Sequence, residues 1–334
     1  MQLRKPYLLY LGDVQTRIDA KTAFGLRDWC REDVLGEWSL PASPVTLDLP
    51  RLSPAEAARR GAGSLVIGIA PFGGVLPDHW LGDLEAALDA GLDVVSGLHT
   101  RLTGIPRLVE AAGRSGARLM DVRHPTRTFP AASGRKRSGK RVLTVGTDCA
   151  LGKKYAALAL TRALGALGRE ATFRATGQTG LLIAGAGIVI DAVVADFVAG
   201  AAEILSPDNA PDHWDVIEGQ GSLFHPAYAG VTLGLLHGSQ PDALVLCHDP
   251  LRLELDGYPG FVIPPLDEVI GRYVEAGRLT NPGVRCAGVS INSSGLDEAQ
   301  WAAYAEKVAA ELRLPVADPM RGGVDAIARE LLAC

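Results

Sequence analysis

The sequence predicts two successive α/β domains, each built on a parallel sheet. Three observations carry this. Short apolar runs alternate with amphipathic stretches over the first part of the chain, the same alternation restarts after a polar interval, and 334 residues exceed what one ordinary hydrophobic core spans. Strands separated by helices imply parallel pairing.

In the first domain, placed at 1–132, the strands are "YLLYLG" (7–12), "SLVIGIA" (64–70), "LDVVSGL" (92–98) and "ARLMDVR" (117–123). Helix-like segments lie between them. "SPAEAARRGA" opens with Ser53 as N-cap and Pro54 at the first helical position, and "LGDLEAALDAG" closes at Gly91. This is the pattern of a Rossmann-like domain, whose strand ends "GIAPFGG" and "SGLHTRL" are where ligands gather in such sheets.

The interval 131–140 is rich in Ser, Gly and basic residues and lacks apolar periodicity, so the boundary falls there and the second domain runs over 133–334. Arg135, Lys136, Arg137, Lys140 and Arg141 read either as a solvated linker or as charges steering a phosphate-bearing ligand. Beyond them the pattern gives strands at 141–146, 170–175, 214–218, 242–247, 286–291 and 315–318, with helices at 152–165, 192–205, 265–276 and 297–312. No internal repeat interrupts this order.

Composition excludes several classes of function. A formal net charge of −5 lacks the basic footprint of a nucleic-acid binder. No apolar run reaches the roughly 18 residues of a membrane span, so neither membrane nor nucleic acid is expected as a partner. Cys30, Cys149, Cys247, Cys286 and Cys334 show no Cys-x-x-Cys spacing, and the N-terminus turns polar too early for a signal peptide, which together point to a reducing cytoplasm.

The chemistry concentrates in "VGTDCALGKKYA" (145–156). A strand runs into Gly146, Thr147, Asp148 and Cys149, reaches Gly152 and Lys153, and continues as an Ala- and Leu-rich helix. Backbone N–H groups at such a helix start face an anion, and a Lys adds a full charge. The spacing resembles the GTD-x-x-x-GK loop of dethiobiotin synthetase and its P-loop relatives. Where such a loop supplies a hydroxyl to magnesium, this chain has Lys154, and an ammonium cannot ligate a metal. That substitution favours binding a phosphorylated cofactor, such as the diphosphate of coenzyme A, without a metal.

Three further clusters are candidates. "EGQGSLFHPAY" places Glu218 at a strand end, followed by Gln220, Ser222 and His225; Glu218 is a metal ligand in an ATP-using reading, and either Glu218 or His225 is the base in an acyl-transfer reading. "FRATGQTG" offers Thr176, Gln178 and Thr179, with Arg174 as a charged partner for a substrate carboxylate. Asn292 ends a late strand, where it either reads an adenine or forms a turn. Asp191 reads as a helix N-cap, Asp196 and Glu203 as one helix face, and Cys149 as a loop-filling residue or a reactive thiol.

Together with "LGDVQTRIDAKTAFGLRDW", "GIAPFGGVLPDHW", "GLDVVSGLHTRL" and "DAVVADFVAGAAE", these motifs resemble the DUF1611 family, and within it the D-glutamate N-acetyltransferases, over nearly the whole chain. The resemblance implies acetyl transfer from acetyl-CoA as co-substrate to D-glutamate, and a pathway neighbour that is an enolase-superfamily racemase of N-acetyl-D-glutamate. A homo-oligomer is expected. Two other classes stay open on the residues alone: an ATP- and Mg²⁺-dependent ligase or kinase of the dethiobiotin-synthetase type, and a non-catalytic nucleotide-binding sensor.

Overall fold

The computed structural model describes residues 3–70 and 72–333, the side chain of Phe72 excepted, so Pro71 of "GIAPFGG" and Cys334 lie outside the described residues. The chain forms two compact units, Met1–Thr126 with Leu181–Ala186, and Arg127–Gly180 with Gly187–Cys334.

The first unit runs β1 (Tyr7–Gly12), α1 (Lys21–Trp29), β2 (Val34–Ser39), α2 (Pro54–Arg59), β3 (Ser64–Ile67), α3 (Leu81–Asp89), β4 (Asp93–Ser96), α4 (Pro106–Ser115) and β5 (Leu119–Asp121). All strand pairs are parallel in the order β2-β1-β3-β4-β5. All six residues of β1 are buried, as an unbroken apolar run in an interior parallel strand requires. Strand β2 was not expected from "VLGEWS" because Glu37 breaks its apolar run. Glu37 is nonetheless fully buried, its carboxylate accepting from Thr46 Oγ1 at 2.7 Å and from Leu47 N at 2.6 Å. Ser53 caps α2 with a complete capping box to Glu56, as the sequence indicated.

From Lys140 onward the chain runs β6 (Lys140–Gly146), α5 (Lys153–Ala166), β7 (Ala171–Arg174), α6 (Gln178–Ala184), α7 (Val198–Leu205), β8 (Trp214–Ile217), α8 (Ala229–Ser239), β9 (Ala243–His248), α9 (Leu266–Arg278), β10 (Arg285–Ile291), α10 (Glu298–Leu312), β11 (Val316–Ala317) and α11 (Asp325–Leu332), all in the second unit except that α6 from Leu181 onward belongs to the first. Its parallel sheet has the order β11-β10-β9-β6-β8-β7. Strand β6 therefore sits between β9 and β8, and the loops leaving all three strands meet at one edge. Leu143, Val145, Ile217, Leu244 and Leu246 build the core on which α7, α8 and α9 pack, each contributing about 1.5–3 kcal/mol by burial.

Two expectations require correction. The run from Arg135 to Arg141 is not a loose linker and its charges already have partners: the exposed Arg135 and Lys136 pair with Asp208 and, at 2.8 Å, with Asp242, and the buried Arg137 donates to the carbonyls of Gly238 and Ser239. Arg141 is fully buried and donates to the carbonyls of Arg137, Ser138 and Pro207. These contacts bind the connecting segment to the second unit. Asp191 does not cap a helix, and Asp196 shares no helix with Glu203. Asp191 sits in a one-turn element, Ile190–Ala192, while α7 begins after Phe197 and leaves Asp196 in a separate turn. Glu203 accepts the N–H groups of Ser133 and Gly134 at 2.9 and 2.8 Å, a further tie to the connecting segment.

Candidate active site

The loop from β6 to α5 closes on itself. Gly152 adopts φ +102°, a left-handed conformation that glycine takes without strain, and this turns the chain into α5. Ala150 is also left-handed at φ 54°, a costly conformation for a residue with a Cβ. Lys153 is buried and donates from Nζ to the carbonyl of Asp148 at 2.6 Å, so its charge lies inside the loop. Tyr273 of α9, which sequence reading missed, donates to Gly146 O at 2.9 Å and accepts from Leu223 N at 3.1 Å. Ser222 adds a brace by donating from Oγ to Thr147 O at 3.1 Å. Thr147 Oγ1 meets His248 Nδ1 at 3.1 Å, and burial lowers the pKa of that imidazole to about 4, which keeps it neutral.

Asp148, expected from the sequence among the cofactor-binding residues of the loop, is a fully buried carboxylate. It accepts from Cys149 N at 2.6 Å, from Arg252 Nη1 at 3.0 Å and from Asp256 N at 2.9 Å. Arg252 and Asp256 belong to the segment that follows β9. That segment lacks periodicity, and only its position after a central strand end could have marked it.

Glu218 follows β8 and is buried beside the loop. Gly219 makes this possible, since a Cβ there would lie 1.7 Å from the carbonyl oxygen of Thr144 on β6. Glu218 Oε2 accepts the N–H groups of Thr176 and Gly177 at 3.0 and 3.1 Å. Thr176 Oγ1 donates to Glu218 O at 2.6 Å and accepts from Gln220 Nε2 at 3.0 Å, so Thr176, Glu218 and Gln220 form one network. Burial raises the Glu218 pKa above its ordinary 4.5, opposed by the charge of Lys154, the two N–H bonds and the charge of Lys153. Lys154 is half-buried, with its ammonium 5.3 Å from the centre of the Tyr155 ring. Gln178 and Thr179 open α6, close in sequence to Thr176.

His225 is 2% exposed and lies between two rings, Tyr228 at 4.5 Å and Tyr258 at 4.8 Å. Its Nδ1 accepts from Ala227 N at 3.1 Å. Burial lowers its pKa, with Asp148 raising it, Lys153 lowering it and Asp256 raising it to smaller extents. Asp148, Cys149 and His225 bring possible ligand atoms within 4.8 Å of one another, a donor composition that can hold a metal. The arrangement does not suit a cation, because Asp148 already accepts the Arg252 guanidinium and two N–H groups, and His225 Nδ1 is engaged.

Two of the residues singled out in the sequence have side chains engaged with other partners. Arg174 turns toward Asp215, donating from Nε at 2.7 Å to a carboxylate that is fully buried. The amide of Asn292 is engaged at both ends, with Nδ2 donating to Asp249 at 3.2 Å and Oδ1 accepting from Ser294 N at 3.3 Å.

With this geometry in place, comparison with known proteins is informative. Residues 36–125 match the family model described as the Rossmann-like domain DUF1611_N, and residues 130–328 match the P-loop domain DUF1611_C, both described as domains of unknown function. The chain belongs to the DUF1611 family. A crystal structure of a DUF1611 family protein from Anabaena variabilis superposes with a TM-score of 0.88 at 34% identity, covering 98% of this chain and 100% of that one. Two curated relatives, from a Pseudoalteromonas species and from Tritonibacter scottomollicae, are each 46% identical. The alignments cover 99% and 98% of this chain, and 100% and 99% of theirs. Both are named D-glutamate N-acetyltransferase. Kinship of this extent makes this DUF1611 chain an enzyme of the acyltransferase class. Among the described residues no helix is long and apolar enough to cross a membrane.

Proposed function

We propose that this DUF1611 protein moves the acetyl group of acetyl-CoA to the amino group of D-glutamate, without a metal, in the cytoplasm. The observation that carries the reading is Lys154 standing where a nucleotide-cleaving loop keeps its magnesium-binding hydroxyl, with its charge acting on Glu218. A carboxylate that faces two ammonium groups has no need of a cation. The same two charges, with the N–H groups at the start of α5, suit the diphosphate of coenzyme A.

Glu218 then serves as the base. Its carboxylate is buried and its pKa is raised, which brings its basicity closer to that needed to take a proton from an ammonium group. Thr176 and Gln220 fix its position through the network described above. The names of the curated relatives support D-glutamate as the amine. The product, N-acetyl-D-glutamate, would pass to an enolase-superfamily racemase, and the active form would be a homo-oligomer.

A thiol-release assay with acetyl-CoA and EDTA tests the reading. Coenzyme A release is expected with D-glutamate and not with L-glutamate. No release, together with ADP formation from ATP and Mg²⁺, would replace this reading with a ligase or kinase of the dethiobiotin-synthetase type. Tight nucleotide binding without either turnover would mark a sensor.

A further inference from the structure

The imidazole of His225 is held in one tautomer by the backbone. A backbone N–H can only donate, so Nδ1, which receives Ala227 N–H at 3.1 Å, must present its lone pair. The proton of the neutral ring therefore sits on Nε2. That nitrogen makes no hydrogen bond among the described residues, although the side chain is 2% exposed. The nitrogen itself is not closed off from solvent, so on an otherwise buried ring beside the phosphate loop it is open to a ligand atom that accepts.

Tyr228 and Tyr258 hold the ring plane from two sides, and the charged groups acting on it are Asp148, Lys153 and Asp256. A ring nitrogen of His225 lies within 4.8 Å of a carboxylate oxygen of Asp148 and of Cys149 Sγ. This proximity invites a cysteine–histidine pair with an acetylated thiol as intermediate. The tautomer forbids it: with its proton on Nε2 and its Nδ1 engaged, the ring has no lone pair to accept a proton from Cys149 or from an ammonium.

We propose that His225 is a fixed hydrogen-bond donor that holds the acyl oxygen through Nε2–H as negative charge develops on it, and that it is not the base. The proposal rests on the acetyl-transfer reading. In that reaction the substrate ammonium gives one proton to Glu218, and the amine nitrogen forms a bond to the thioester carbon. The carbonyl oxygen takes up the electron pair as an oxyanion facing Nε2–H. Collapse re-forms the carbonyl and breaks the carbon–sulfur bond. The thiolate leaves with that electron pair and takes the second nitrogen proton, and Glu218 releases its proton to water. His225 keeps its own proton throughout. Acetyl passes directly from sulfur to nitrogen, without residence on Cys149.

The tautomer is measured by ¹⁵N NMR on ¹⁵N-histidine-labelled protein, with the His225 signals assigned by their loss in His225→Gln. A lone-pair-type shift at Nδ1 and a protonated-type shift at Nε2 are expected at neutral pH. Protonation at Nδ1 overturns the proposal, whatever amine is acetylated. Kinetics with D-glutamate and acetyl-CoA give the second arm. His225→Ala should lower kcat by about 10²–10³-fold, and His225→Gln, which offers an amide N–H but cannot take a proton, should recover to within about tenfold of wild type. A glutamine variant as slow as the alanine variant overturns the proposal. Absence of wild-type turnover with D-glutamate, with the nitrogen shifts as expected, would instead overturn the acetyl-transfer reading while leaving the tautomer established.

Discussion

The two ends of the second sheet treat charge in different ways. At the amino ends of the strands, Arg137, Arg141, Asp208 and Asp242 lie among ion pairs and carbonyl contacts that tie down the connecting segment. At the carboxyl ends, Glu218 is held by backbone N–H groups, and His225 keeps an unpartnered Nε2 among the described residues. Charges that satisfy one another stabilise a fold. Groups held by the backbone with an atom left over are ready for a ligand. The carboxyl ends hold both uses side by side, since Asp148 there is paired with Arg252 while Glu218 and His225 are held by the backbone.

Three substitutions test that contrast, from the largest effect to the smallest. Glu218→Gln keeps the N–H acceptor but removes the base, and should lower kcat by about 10²–10⁴-fold with the fold intact by circular dichroism. Its pH profile makes the case sharper. Because the folded pKa of Glu218 lies above 4.5 and the carboxylate must be ionised to accept a proton, wild-type kcat/KM should rise as pH climbs through that raised value and fall as pH drops through it. The variant should lose this limb, and retention of it would assign the titration to another group.

Arg141→Met acts at the other end. It strips donors from several buried carbonyls and should cost about 3 kcal/mol, read from the urea midpoint, while kcat per folded molecule stays unchanged. A fall in kcat as large as the fall in stability would dissolve the distinction between the two ends. Lys154→Thr is the mildest change. The KM for acetyl-CoA should rise by about tenfold with kcat little altered, the loss of one ammonium beside a diphosphate. Because the Lys154 charge also lowers the Glu218 pKa, the acid limb should move to higher pH in this variant, and an unchanged KM would remove Lys154 from cofactor binding.

Much of the architecture was legible because it is local. Apolar runs marked β1 and β9, the run before the phosphate loop marked β6, and Ser53 with Pro54 marked the start of α2. The phosphate loop was legible for the same reason, since strand, glycines, lysine and helix are consecutive. Failures came where a distant partner decides the outcome. Glu37 broke the pattern of β2 because its acceptors are satisfied by Thr46 and Leu47, and α8 was overlooked because its glycines and its polar Ser and His residues weaken the helical signal. Arg174 ends a strand near the loop, yet its side chain serves Asp215, a direction that no one-dimensional pattern encodes. Arg252 and Tyr273 complete the site from remote positions in the chain, and only the fold places them there.

The ties on the loop have a consequence for how ligands arrive. Lys153 fastened to Asp148, Asp148 fastened to Arg252 and Tyr273 fastened to Gly146 fix the loop backbone through contacts within the chain itself. A cradle shaped in advance loses little conformational entropy on occupation, so association should be a single fast step rather than capture followed by slow closure.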